Sequence, residues 1–241
     1  MFAHILIICG FFETNHSRHI SSTALKDKFV PHLESLFNDD ILFGQGLTVK
    51  ENLRALGYHV IAELVHLVRN QLSYKTLEAA TYTFLTNLHD DTLTHLHDER
   101  LHIVSAKILT NLVDCIRQKR ADGQTSNTEA RSLLIRIFKS FTERLETLAK
   151  YRLEEVKMET IKKTDPKQID ELYMENKQLL KFLILGANHV TTALFQYTRH
   201  NIAESKKEFG PDEKYLYIKF GKSALRAFEL YQVILKLNVK T

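Results

Sequence analysis

Apolar residues recur at helical spacing through long stretches of this chain, and that periodicity constrains the fold more than any other feature. In TVKENLRALGYHVIAELVHLVR, from Thr48 to Arg69, the residues Leu53, Leu56, Gly57, Val60, Ile61, Leu64, Val65 and Val68 follow the i, i+3, i+4, i+7 pattern of one helix face. In LHIVSAKILTNLVDCIR, from Leu101 to Arg117, the same pattern falls on Leu101, Val104, Ile108, Leu109, Leu112 and Ile116. A stripe of this kind has to be buried, and a second striped helix is the simplest cover. Eight Gly and three Pro in 241 residues leave too little punctuation for a sandwich or barrel of short strands. The expected fold is all-α, with antiparallel helix pairs stacked on one another.

Helix boundaries follow from local chemistry. Pro31 interrupts the stripe of Leu25, Phe29, Leu33, Leu36 and Phe37, so a helix there starts late or bends. Thr48 with Glu51 and Ser126 with Glu129 have capping-box spacing, in which each side chain satisfies a backbone N–H at the helix start. Ser73 is placed to cap a helix carrying Leu77, Ala80, Phe84, Leu85 and Leu88. Behind Ser126, Leu134, Ile137, Phe138, Phe141, Leu145 and Leu148 form a long stripe. Charges dominate from Lys150 to Glu171, with a break expected at Asp165-Pro166. Beyond it, Leu172, Leu179, Leu180, Leu183, Ala187, Val190, Leu194 and Phe195 predict one more helix, and Leu216, Phe220, Ala224, Ala227, Phe228, Tyr231 and Ile234 predict the last. The chain divides on this reading into helical repeats at 1–151, a charged linker or insertion at 152–171, and a further repeat segment at 172–241. Helix pairs beginning at Thr48 and Glu99 recur at a step of roughly 50 residues, a little beyond the ~40–47 of HEAT repeats, so an α-solenoid is the expected architecture.

Bulk properties narrow the function classes. The formal charge of +4 is mild, and acids and bases alternate instead of segregating into the basic face that nucleic acid demands. Cys9 and Cys115 sit far apart in apolar patterns, which fits reduced thiols better than a disulfide framework. MFAHILIICGFF at the amino terminus lacks a basic n-region and falls short of the ~20 apolar residues that span a bilayer. It reads as a buried helix, and Met1 as a truncated start.

Motifs that suggest chemistry are weak. His59, Glu63 and His66 share one side of their helix, yet no fourth ligand or general base accompanies them, and a polar face opposite the apolar stripe explains them as well. His89-Asp90 and His97-Asp98 are His-Asp dipeptides of the kind used by all-α metal-dependent phosphohydrolases, which need further ligands from other helices; here they flank an interhelical linker and suit helix ends. Gly44-Gln45-Gly46 lacks the lysine and the preceding strand of a phosphate loop. Arg117, Lys119 and Arg120, like Lys206 and Lys207, make small basic spots, the first group explained by the partial negative charge of a helix C-terminus. No catalytic residue, metal ligand or cofactor-binding residue is assigned.

FVPHLESLFNDDILFGQG (Phe29 to Gly46), LRALGYHVIAELVHLVR (Leu53 to Arg69) and ILTNLVDCIR (Ile108 to Arg117) resemble, in order and spacing, the HEAT-repeat region of the TRRAP (transformation/transcription domain-associated protein) family. KYLYIKFGKSALRAFELYQV, at the last helix, is similar to the continuation of that region. The resemblance is carried by Phe29 to Tyr151 and by the last helices, not by 1–28 or the charged stretch. It implies a fragment of a very large protein related to phosphatidylinositol-3-kinases, whose kinase-like domain lacks catalytic residues. It also implies a non-catalytic nuclear scaffold of histone acetyltransferase complexes of the SAGA type, whose partners are transcription activators and complex subunits. Sequence-specific nucleic acid, membrane, small-molecule substrate and cofactor are not expected. The exposed side of the opening helix, His59, Glu63, His66 and Arg69, is the candidate protein-binding surface. A metal-dependent phosphohydrolase and a different solenoid adaptor, such as a transport receptor, are the alternatives.

Overall fold

The computed structural model describes residues 60–61, 64–65, 72–89, 98–121, 123, 126–162, 166–201 and 211–238. Six α-helices follow in chain order among these residues: α1 Tyr74–His89, α2 Asp98–Ala121, α3 Asn127–Thr147, α4 Leu153–Lys162, α5 Pro166–Asn201 and α6 Pro211–Asn238. A π-helical turn, Leu148–Arg152, joins α3 to α4 without a break. Cys9, the Thr48–Glu51 box, the Gly44-Gln45-Gly46 turn and Lys206-Lys207 lie outside the described residues.

The caps fall where side-chain chemistry puts them. Ser73 Oγ accepts the Thr76 N–H at 3.1 Å and starts α1. Ser126 and Glu129 close both halves of a capping box at the head of α3, the Glu129 N–H donating to Ser126 Oγ and the Ser126 N–H to Glu129 Oε2, each at 3.2 Å. Gly123, at φ 70°, makes the left-handed turn between α2 and α3 that a Cβ would oppose. Pro166 opens α5, a position that needs no N–H donor, so the helix begins six residues before the apolar stripe at Leu172.

Burial follows the stripes. Leu77, Ala80, Phe84 and Leu88 of α1, all six stripe residues of α2, and Leu134, Ile137, Phe138, Phe141, Leu145 and Leu148 of α3 and the π turn are buried in one core. Ile61, Leu64 and Val65 of the opening helix join it. Cys115 is buried as a free thiol, with its Sγ 3.4 Å from the Asn111 carbonyl oxygen. Thr81, Thr110 and Thr142 are also buried, each donating its hydroxyl to the carbonyl four residues back at 2.7 to 2.8 Å, so they bring no unsatisfied polar group into the core. Among the described stripe residues of these helices, two are exposed against the periodic expectation. Phe195 and Phe228 lie on the predicted stripes of α5 and α6 but are about half exposed, because periodicity says which residues share a face and not how far a covering helix reaches.

The helices form two layers. α1 packs on α2 to make the first pair, and α3 with α4 packs on α5 to make the second. α1 contacts α3, and α2 contacts α5 along an extensive interface, so first members stack on first members and second on second. α6 packs on α3, the π turn and α4 and thereby continues the first layer. This is an all-α, HEAT-like solenoid. Gly186 of α5 sits where α2 and α3 converge: a Cβ there would collide with the Phe141 ring and Thr110 Oγ1.

Candidate protein-binding site

The side chains of His59, Glu63, His66 and Arg69 lie outside the described residues. Their neighbours Ile61, Leu64 and Val65 are buried and Val60 is half-buried, which fixes the apolar side of that helix against the core. Of the basic spot at the end of α2, Lys119 is buried and Arg117 lies 3.4 Å from Asp114, a pairing internal to one helix, while the side chain of Arg120 lies outside the described residues. His89 of the first His-Asp dipeptide spends its Nε2 on Ser140 Oγ of α3, at 2.7 Å.

Polar contacts between helices fix how the layers sit. Arg144 of α3 donates from Nη2 to His102 Nδ1 of α2 at 2.6 Å, with both residues only 2% exposed. A guanidinium cannot accept a hydrogen bond, so His102 presents an unprotonated Nδ1. On α6, Tyr217 and Phe220 pack their rings against Phe138 of α3, with centroids 4.9 and 5.4 Å away. Lys219 donates to Glu146 at 2.8 Å, and that bond holds the Lys219 ammonium above its ordinary range. Tyr173 of α5 and Tyr231 of α6 stack at 5.3 Å, and the Tyr173 hydroxyl donates to the other at 2.6 Å. Burial first, and the bond to Tyr231 second, push the Tyr173 phenol upward.

Apart from that tyrosine junction, α5 and α6 leave a groove between them of about 700 Å³. Its floor and walls are apolar, from Leu180, Ile184 and Leu185 of α5 and Phe220, Phe228 and Tyr231 of α6. Phe228 is 50% and Leu185 39% exposed. The only charged side chains lining it among the described residues are Lys177 and Lys181, which are exposed and make no ion pair there. Reading one stripe per helix misses this surface. The signal for it is that α6 is apolar on too many sides: beside its stripe it carries Tyr215, Ile218, Leu225, Val233 and Leu235, all exposed.

Two stacked layers with paired helices and an open apolar groove define a segment of an α-solenoid, a class that works through its surface. Residues 15–178, more than half of the chain, match the family described as the Tra1 HEAT repeat central region, and the chain belongs to that family. Its relatives include the transformation/transcription domain-associated protein of Homo sapiens, 36% identical over 137 residues covering 57% of this chain and 3% of that protein. The protein of the same name from Danio rerio is 27% identical over 275 residues, covering 93% of this chain and 7% of its own length. The SAGA complex/NuA4 acetyltransferase complex subunit TRA1 of Saccharomyces cerevisiae is 35% identical over 132 residues, 55% of this chain and 3% of that protein. The chain therefore spans a small fraction of the length of these relatives.

Proposed function

We propose that this chain is a non-catalytic scaffold segment of a nuclear histone acetyltransferase coactivator complex, and that it contacts complex subunits and transcription activators. The observation that carries this reading is membership of the Tra1 central HEAT family, together with a yeast relative named as a SAGA and NuA4 acetyltransferase complex subunit. A solenoid layer suits the role because each repeat leaves surface free after burying its stripe. The charged stretch 152–171 between the proposed repeat segments 1–151 and 172–241 is helical where it is described, in α4 and the first residues of α5.

His59, Glu63, His66 and Arg69 are the proposed activator-facing residues, since their positions lie away from the apolar stripe of the opening helix. The test is affinity purification of the tagged chain from nuclear extract with detection of acetyltransferase activity. Co-purifying activity is expected, and its absence overturns the scaffold reading. Replacing His66 and Arg69 by Glu is expected to reduce activator pull-down at least several-fold with the circular dichroism spectrum unchanged. Unaltered pull-down would remove the activator-facing role.

A further inference from the structure

We infer that the outer strip of the first layer, along α3 and the adjoining side of α6, binds the phosphodiester backbone of duplex nucleic acid without reading its sequence. The charged positions Arg136, Lys139, Glu143, Glu146 and Lys150 recur at helical spacing through α3 and the π turn, and so share one side of that rod. At 1.5 Å per residue they span ~21 Å. α6 contributes Lys219, Lys222 and Arg226, which follow one another at steps of one turn. Contacts join the two helices into one surface. Lys219 donates to Glu146 at 2.8 Å. The Lys150 ammonium is held above its ordinary range chiefly by Tyr151, while Arg226 of α6 is close enough to push the other way. At the far end of the strip Arg136 lies over the Tyr82 ring of α1, 5.4 Å from its centroid.

Charge balance and position select the occupant. Glu143 and Glu146 are each answered within the strip, by Lys139 at 3.9 Å and by Lys219. Arg136, Lys150, Lys222 and Arg226 are exposed and make no ion pair among the described residues. Glu229, one turn beyond Arg226, offsets one of these four, and the strip stays net positive. An amphipathic peptide needs a groove for its apolar stripe, whereas the α3 positions of this strip offer charged heads alone. A phosphodiester backbone asks only for cations at intervals, and ~21 Å of duplex carries roughly 12 phosphate charges. Because α3 is flanked by α1 and α6, no helix projects from this face to enter a groove, and contacts to phosphate hold a duplex without reading its bases. A further repeat stacked beyond α6 would lengthen this face without covering α3. The cations come from α3, the π turn and α6, so no basic run announces them in the sequence. This inference rests on charge placement and does not depend on the transcriptional reading.

The test is fluorescence anisotropy with the 241-residue chain and two labelled duplexes of unrelated sequence, each ~20 base pairs long, alongside a labelled polyglutamate peptide, over a salt series. Both duplexes are expected to bind equally, with log K falling against log salt at a slope of about −3 to −4, as four phosphate contacts require. The variant Arg136→Gln/Lys150→Gln/Arg226→Gln should weaken duplex binding at least tenfold and flatten the slope to about −1, and Lys222→Gln alone should flatten it by about one. Lys177→Gln/Lys181→Gln, on the second layer, should change neither. All of these side chains are exposed, so thermal melts should show the variants folded. If the triple variant melts early, the slope of Lys222→Gln decides. The absence of duplex binding at low salt overturns the proposal, as does a slope indifferent to these substitutions. Polyglutamate bound as tightly as duplex also overturns it, since the strip would then belong to an acidic protein segment.

Discussion

At the scale of single residues, two positions carry more of the packing than their side chains suggest. Gly186 lets α5 approach Phe141 and Thr110 more closely than any other residue could. Gly186→Ala is therefore expected to destabilise the fold by about 1–3 kcal/mol, the usual cost of overpacking, despite the better helix propensity of alanine. Thermal or urea denaturation measures it, and a more stable variant would show that the Phe141 ring can move aside at no cost. The Arg144–His102 bond is the second case. His102→Leu is expected to lose about 1.5–3 kcal/mol, because it removes an acceptor from a buried guanidinium. The double variant His102→Leu/Arg144→Met should lose less than the sum of the single changes, and strict additivity in a double-mutant cycle would deny the coupling.

At the scale of elements, α3 shows how local chemistry and tertiary demand divide the work. Its start is set locally by the capping box of Ser126 and Glu129. Ser126→Ala should cost about 1 kcal/mol and Ser126→Gly only a few tenths, as read by urea titration, because glycine can still adopt the extended cap conformation. Its far end is not set locally. The π turn at Leu148–Arg152, closed by the Leu153 N–H on the Leu148 carbonyl, holds an extra residue while Leu148, Ala149 and Leu153 all stay buried. Wide turns of this kind accommodate a mismatch between helix period and the packing surface, and nothing in the residues LAKYR announces one.

At the scale of the whole molecule, the attachment of α6 to the second layer is concentrated at Tyr173 and Tyr231. The Tyr173 phenol is raised above its ordinary value of 10.0, so the folded chain holds that proton more tightly than the unfolded chain does. The resulting stabilisation is complete below about pH 10 and is lost as pH climbs beyond it. Absorbance titration at 295 nm should show one tyrosine ionising late, and Tyr231→Phe should bring that late titration down. A profile unchanged by Tyr231→Phe would remove the hydrogen bond as a contributing cause.

By itself the sequence determined most of the helices, the caps of α1 and α3 and most of the core, because a 3.6-residue period and a Ser-x-x-Glu box are local properties, while the helix α4 within the charged stretch was not legible there. Ordered runs such as LRALGYHVIAELVHLVR also carried the family. Only the tertiary structure decided which stripe meets which. It put Gly186 at the α2–α3–α5 crossing, paired Arg144 with His102 across 42 residues of chain, and left Phe228 and Leu185 lining an open trough. The physical reason is that periodicity gives each helix a face, whereas the cover over that face comes from elements distant in sequence.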